Sequence, residues 1–140
     1  MKRLLIGLGN PYRGDDAAGL EVASRVRSIE SHSSLLGSYE LIDLWQGADE
    51  VIVVDAMLST APPGTVSRFD PHREVLPSKT FASTHAIGVA ETIEMAKALG
   101  RLPTKMTVYG IEAADVTAGD SLSPVVEEAV VKLTAEIDHA

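Results

Sequence analysis

The sequence predicts an α/β fold: a three-layer α/β/α sandwich built on a mostly parallel, five-stranded twisted sheet with one antiparallel strand. Three observations carry this expectation. Short uncharged apolar runs alternate along the chain with segments of helical period, the pattern of strands joined by crossover helices. The apolar material is aliphatic: hydrophobic residues make up 45% of the chain and aromatic residues 4%, so the core must be Leu, Val, Ile and Ala. That mixture suits a sheet covered by helices on both faces better than an aromatic-rich all-β fold. The chain has 140 residues, the size of one compact domain, taken here as 1–140.

The elements follow in order. Leu4 to Leu8 reads as a buried strand, stopped by Gly9-Asn10-Pro11. Asp15 and Asp16 precede a helix over Ala17 to about Ser28, with Leu20, Ala23 and Val26 at helical spacing. Residues 29–37 carry a poor signal, with Ser33–Leu36 as a candidate short strand. Tyr39 to about Gln46 is a helix, and Glu50–Ala56 is the clearest strand, β-branched and uncharged over Val51–Val54. After the Pro62-Pro63 loop, Thr65–Phe69 alternates like an edge strand and supplies the antiparallel member. A polar loop over 70–83 leads to a helix from His85 to Leu99, with Ser83 or Thr84 as N-cap and Gly100 as its stop. Met106–Ile111 is the next buried strand. Ser123-Pro124 then opens a last helix whose stripe is Val126, Ala129, Val130, Leu133 and Ile137.

Composition narrows the chemistry. Twelve Lys and Arg against twenty Asp and Glu give a formal charge of −8, which opposes nucleic-acid binding, where basic surface supplies most of the affinity. With no cysteine there is no disulfide, thiolate ligand or cysteine nucleophile, so any metal must be held by carboxylate and imidazole. The start of the chain is too short in apolar residues for a signal peptide, and no stretch approaches the roughly 20 apolar residues of a membrane span. The expectation is a cytoplasmic monomer without nucleic-acid or membrane partners.

In an open α/β sheet, ligands bind beyond the carboxyl ends of the strands. Asp15 and Asp16 follow the loop after the first strand, Asp55 is the first charge after Val51–Val54, and His85 opens a helix that returns to the sheet. Two carboxylates and an imidazole at one edge form a catalytic-type metal set. At a helix N-terminus, His85 would stay neutral, the form that binds a metal. Plain alternatives stand beside this. Asp15 and Asp16 could only cap the helix, Asp55 could bond strand-end amides, and His85 could be an ordinary first-turn residue. Gly7 and Gly9 read as tight-turn residues; the dinucleotide fingerprint lacks its third glycine, because position 12 is Tyr.

Gly7-Leu8-Gly9-Asn10-Pro11-Tyr12-Arg13-Gly14-Asp15-Asp16-Ala17-Ala18-Gly19 resembles the opening motif of the hydrogenase maturation endopeptidases. Val53-Val54-Asp55-Ala56 is similar to that family's second motif, Ser83-Thr84-His85 to its third, and Leu122-Ser123-Pro124 to the segment before its last helix. The resemblance spans nearly the whole chain. It implies metal ligation by Asp16, Asp55 and His85. The implied substrate is a [NiFe] hydrogenase large-subunit precursor, whose C-terminal extension is removed once nickel is in place. The divalent metal would be nickel supplied by the substrate, with zinc or cadmium able to substitute in vitro. Metal-assisted peptide hydrolysis is then the expected chemistry, with Asp15 as a candidate general base. The 29–38 segment departs from the family's longer glycine-rich loop.

Two other functions compete. A peptidyl-tRNA hydrolase also begins with a strand and G-L-G-N-P, but its histidine–asparagine pair is replaced here by Asp15-Asp16-Ala17, and the acidic charge opposes a tRNA substrate. A metal-binding hydrogenase assembly factor that has lost proteolysis would keep the same three ligands.

Overall fold

A computed structural model describes residues 1–34, 39–77, 80, 81, 88–117 and 119–140. In chain order its elements are β1 (Arg3–Leu8), α1 (Ala18–Arg25), β2 (Glu30–Ser34), α2 (Tyr39–Leu44), β3 (Glu50–Met57), β4 (Val66–Phe69), α3 (Val89–Ala98), β5 (Lys105–Glu112) and α4 (Pro124–Asp138). The strands form one sheet in the order β2-β1-β3-β5-β4. β2, β1, β3 and β5 run parallel, and β4 closes one edge antiparallel to β5. The expected α/β sandwich, with five strands and one of them antiparallel, is the fold.

The two faces of the sheet are separated by the strand period. Leu4, Ile6, Val51 and Val53 face α2 and α3, where they pack with Trp45 and Ile93. Leu5, Ile52 and Val54 face α1 and α4, where they meet Val22, Val130 and Leu133. Every residue of β3 is buried, as a strand covered on both sides must be. Trp45 is buried with its indole N–H donated to the Arg101 carbonyl at 2.9 Å, so its polar end costs nothing. Among the described residues no helix is long and apolar enough to cross a membrane.

Some elements differ from the sequence-based expectation. The second strand runs Glu30–Ser34 instead of Ser33–Leu36; as the outermost strand of its edge it has polar residues, Glu-Ser-His-Ser-Ser, and so lacks the apolar run that marks a central strand. Residues 35–38 lie outside the described residues. α1 is shorter than expected, ending where Val26 turns extended (ψ 135°). Its buried face is Ala18, Gly19, Val22 and Ala23, rotated from the Leu20 stripe because Gly19 must face the sheet. α3 begins at Val89 with Gly88 in extended conformation as N-cap, later than the expected start at His85. The expected caps Ser83 and Thr84, and His85 itself, lie outside the described residues. α4 matches its expected start, with Ser123 as N-cap, Pro124 in the first turn and all five stripe residues buried.

Candidate functional site

The carboxyl ends of β1 and β3 and the start of α1 are brought together by missing side chains. A Cβ on Gly7 would lie 2.2 Å from the Gly19 carbonyl oxygen, and one on Gly19 would lie 2.2 Å from the Val54 oxygen. Gly9, at φ 147°, would meet the Asp16 oxygen at 1.9 Å. The glycines of the opening motif are therefore close-approach positions as well as turn residues, and the tight-turn expectation was incomplete. With α1 pressed against the backbone of β3, the short 3-10 turn Gly14–Ala17 just before it sits over the end of β3, where Asp55 stands.

Asp15 and Asp16 occupy that turn, and both are buried. For Asp15 the plain capping alternative does not hold, because its carboxylate is bonded to other segments. Asp15 reaches across the molecule instead. Its carboxylate accepts hydrogen bonds from the Ala114 N–H at 2.8 Å, the Asp115 N–H at 2.9 Å, the Ser123 N–H at 2.7 Å and the Ser123 hydroxyl at 2.8 Å. Backbone bonds reinforce the junction: Gly14 N–H donates to the Gly119 oxygen at 2.9 Å, and Asp15 N–H to the Asp115 oxygen at 2.8 Å. The residues before α1 and the residues before α4 thus form one tied unit.

Asp16 and Asp55 are in a different situation. Arg13 approaches the Asp16 Oδ2 at 3.2 Å, and the Asp55 Oδ1 accepts the Ala56 N–H at 2.8 Å. Asp55 is 3% exposed, and burial together with the neighbouring charge of Asp16 pushes its pKa up to about 8. Burial is the larger cause, the Asp16 charge the second, and the Ala56 amide opposes both. Arg13 supplies a cation to Asp16, whereas Asp55 has none among the described residues and is eased by a proton; a divalent ion would serve both acids in the proton's place. Asp16 and Asp55 thus fit a metal as a donor pair. The structure brings these two predicted residues together. His85 lies outside the described residues, which resume at Gly88 before α3. Among the described residues no group of three or more His, Asp or Glu side chains could hold a metal ion.

Two further residues shape the rim and were not singled out from the sequence. Glu112, at the end of β5, is buried and accepts hydrogen bonds from the Ser59 N–H at 2.8 Å and from its hydroxyl, fixing the loop after β3. The signal was there: like Asp55, Glu112 is the first charge after an apolar strand. Arg13 stands inside the opening motif, but no spacing rule marked it as the partner of Asp16.

A family model described as hydrogenase maturation protease matches residues 36–139, well over half of the chain. The hydrogenase expression/formation protein HupD of Thiocapsa roseopersicina is 30% identical over 148 residues, covering 98% of this chain and 65% of that protein; the chain therefore spans about two thirds of that relative's length. The hydrogenase 2 maturation protease of Escherichia coli (strain K12) is 24% identical over 135 residues, 91% of this chain and 82% of its own. Among solved structures, the hydrogenase maturating endopeptidase HybD from E. coli superposes with a TM-score of 0.81 at 22% identity, covering 98% of this chain and 90% of that one. The family-model match over residues 36–139 and the relative at 30% identity agree, and this chain belongs to the hydrogenase maturation protease family.

Proposed function

We propose that this chain is an endopeptidase that removes the C-terminal extension of a nickel-loaded [NiFe] hydrogenase large-subunit precursor, acting as a single-domain cytoplasmic monomer. The observation that carries this is the buried pair of Asp16 and Asp55 at the carboxyl rim of the sheet, where burial and the Asp16 charge push the Asp55 pKa up to about 8.

In this reading Asp16, Asp55 and His85 are the side chains that hold the divalent ion of the substrate. When bound, that ion polarises the scissile carbonyl and acidifies a water. Asp55 contributes by giving up the proton on Oδ2, the oxygen not engaged by the Ala56 amide. Arg13 steadies the Asp16 carboxylate from the rim. Asp15 takes a positioning role in place of the general-base role expected of it, because four donors already occupy its two oxygens. Carboxylate–imidazole sets accept several divalent ions, so zinc or cadmium would occupy the same ligands in vitro.

The test is incubation with a nickel-loaded large-subunit precursor, followed by intact-mass measurement. A mass loss at the precursor's C-terminus, abolished by His85→Ala at an unchanged unfolding midpoint, supports the proposal. Binding of the precursor without any mass loss would replace it with the non-proteolytic assembly factor, for which the shortened 29–38 segment is the sequence argument.

A further inference from the structure

We propose that the groove between α4 and the free edge of β4 takes an extended, acidic stretch of polypeptide, laid alongside β4 with its carboxylates against Arg68, Lys105 and Lys132. This rests on the reading of the chain as a protein that acts on a polypeptide substrate.

The groove is a consequence of coverage. Among the described residues two helices, α1 and α4, lie on this face of the sheet, and they pack over β1, β3 and the inner part of β5, leaving β4 without a roof. A cavity of about 590 Å3 opens there, lined by Arg68, Lys105, Tyr109 and Lys132 among others. A second one of about 280 Å3 continues it past Gly64 and Val125, and the two share Val66 and Lys132. Together they run beside β4 to the end of α4 that begins at Ser123, the residue bound to Asp15. One end of the groove therefore reaches Val125, two residues along the chain from Ser123.

Charge selects the occupant. The chain carries −8 overall, yet this groove gathers four cations, Arg3, Arg68, Lys105 and Lys132, against three acids, Glu50, Glu136 and Glu128, the last in an exposed ion pair with Lys132 at 3.2 Å. Strand register aligns them: Arg3 pairs with Glu50 and Glu50 with Lys105 across three strands, and Arg68 pairs with Tyr109. Glu50 is shared between Arg3 at 2.7 Å and Lys105 at 3.6 Å, so one carboxylate serves two cations. Among the described residues Arg68 has no ion pair and the Tyr109 hydroxyl makes no hydrogen bond, although both line the cavity. Valine and tyrosine side chains between the charges supply apolar contact for alternate residues of an extended chain, while among the described residues β4 has no strand partner on its outer side.

The experiment is an amide-resolved NMR titration of the full chain with three probes: an end-capped octapeptide alternating Asp and Val, its Lys and Val counterpart, and inorganic phosphate. The expected result is saturable shifts at Val66–Phe69 and Tyr109 with the acidic peptide, weakening as salt is raised. The double substitution Arg68→Glu and Lys132→Glu, at two exposed positions, should weaken that binding at least about tenfold and favour the Lys peptide. If the reversal disturbs folding, Arg68→Gln with Lys132→Gln replaces it with the same expectation in direction. Shifts confined to other elements, an equal response to the Lys peptide, or the same shifts with phosphate alone would overturn the proposal. Binding is read here without cleavage, so a protein that processes no precursor but takes the acidic peptide refutes the endopeptidase function and leaves the groove standing.

Discussion

Asp15 and Asp55 are both buried carboxylates at one rim, and the protein treats them oppositely. Asp15 is given four donors from a distant loop and serves to tie two segments together. Asp55 is given a single amide from its own neighbour and a second acid beside it, and retains its proton near neutrality. A satisfied buried carboxylate stabilises a fold; one held short of partners destabilises it and is kept for what it can bind. The contrast separates architecture from chemistry within forty residues of sequence.

The comparison breaks most sharply at Asp15. Asp15→Ala should leave the amides of Ala114, Asp115 and Ser123 without their acceptor and cost about 3–5 kcal/mol, measured as a fall in the denaturant midpoint. A loss below about 1 kcal/mol would mean the clamp is not an anchor. Gly19→Ala comes next: its Cβ cannot coexist with the Val54 oxygen, so α1 must lift, at about 2–4 kcal/mol. Asp55→Asn should act in the other direction. The folded protein keeps the Asp55 proton up to about pH 8, while in the unfolded chain that group ionises near about pH 4. Between those values the native state binds one proton more than the unfolded state, so stability falls as pH climbs from about 4 to about 8 and levels off above. Asp55→Asn removes that slope and should raise Tm at pH 8 by roughly 5 °C, while abolishing processing. Nickel or zinc added to the unsubstituted chain should raise Tm more at pH 8 than at pH 6, since the ion displaces that proton, and a chelator should reverse it. The smallest effect is expected for Ser59→Ala, about 1 kcal/mol, because Glu112 keeps the Ser59 amide.

What could be read from the sequence follows the same division. Strands such as Val51–Val54 and the α4 stripe announce themselves because burial on known faces imposes a local period. The polar edge strand Glu30–Ser34 does not, since an outer strand can be solvated and its pairing with β1 is decided by neighbours far along the chain. Asp16 and Asp55 were readable as site candidates from their place after strand and loop. The clamp from Asp15 to Ser123 spans more than a hundred residues and leaves no periodic trace. The close contacts of Gly7 and Gly19 are likewise invisible until the backbones meet; from sequence alone Gly7 reads as a turn residue and Gly19 as one position of a helix.

That same clamp has a consequence for biosynthesis. Residues 114–123 leave the ribosome long after the 3-10 turn that carries the two acids, so the rim has no finished geometry while the chain is still being made. Until Ser123 is in place, Asp15 lacks two of its four donors, and the turn that carries it is tied only in part.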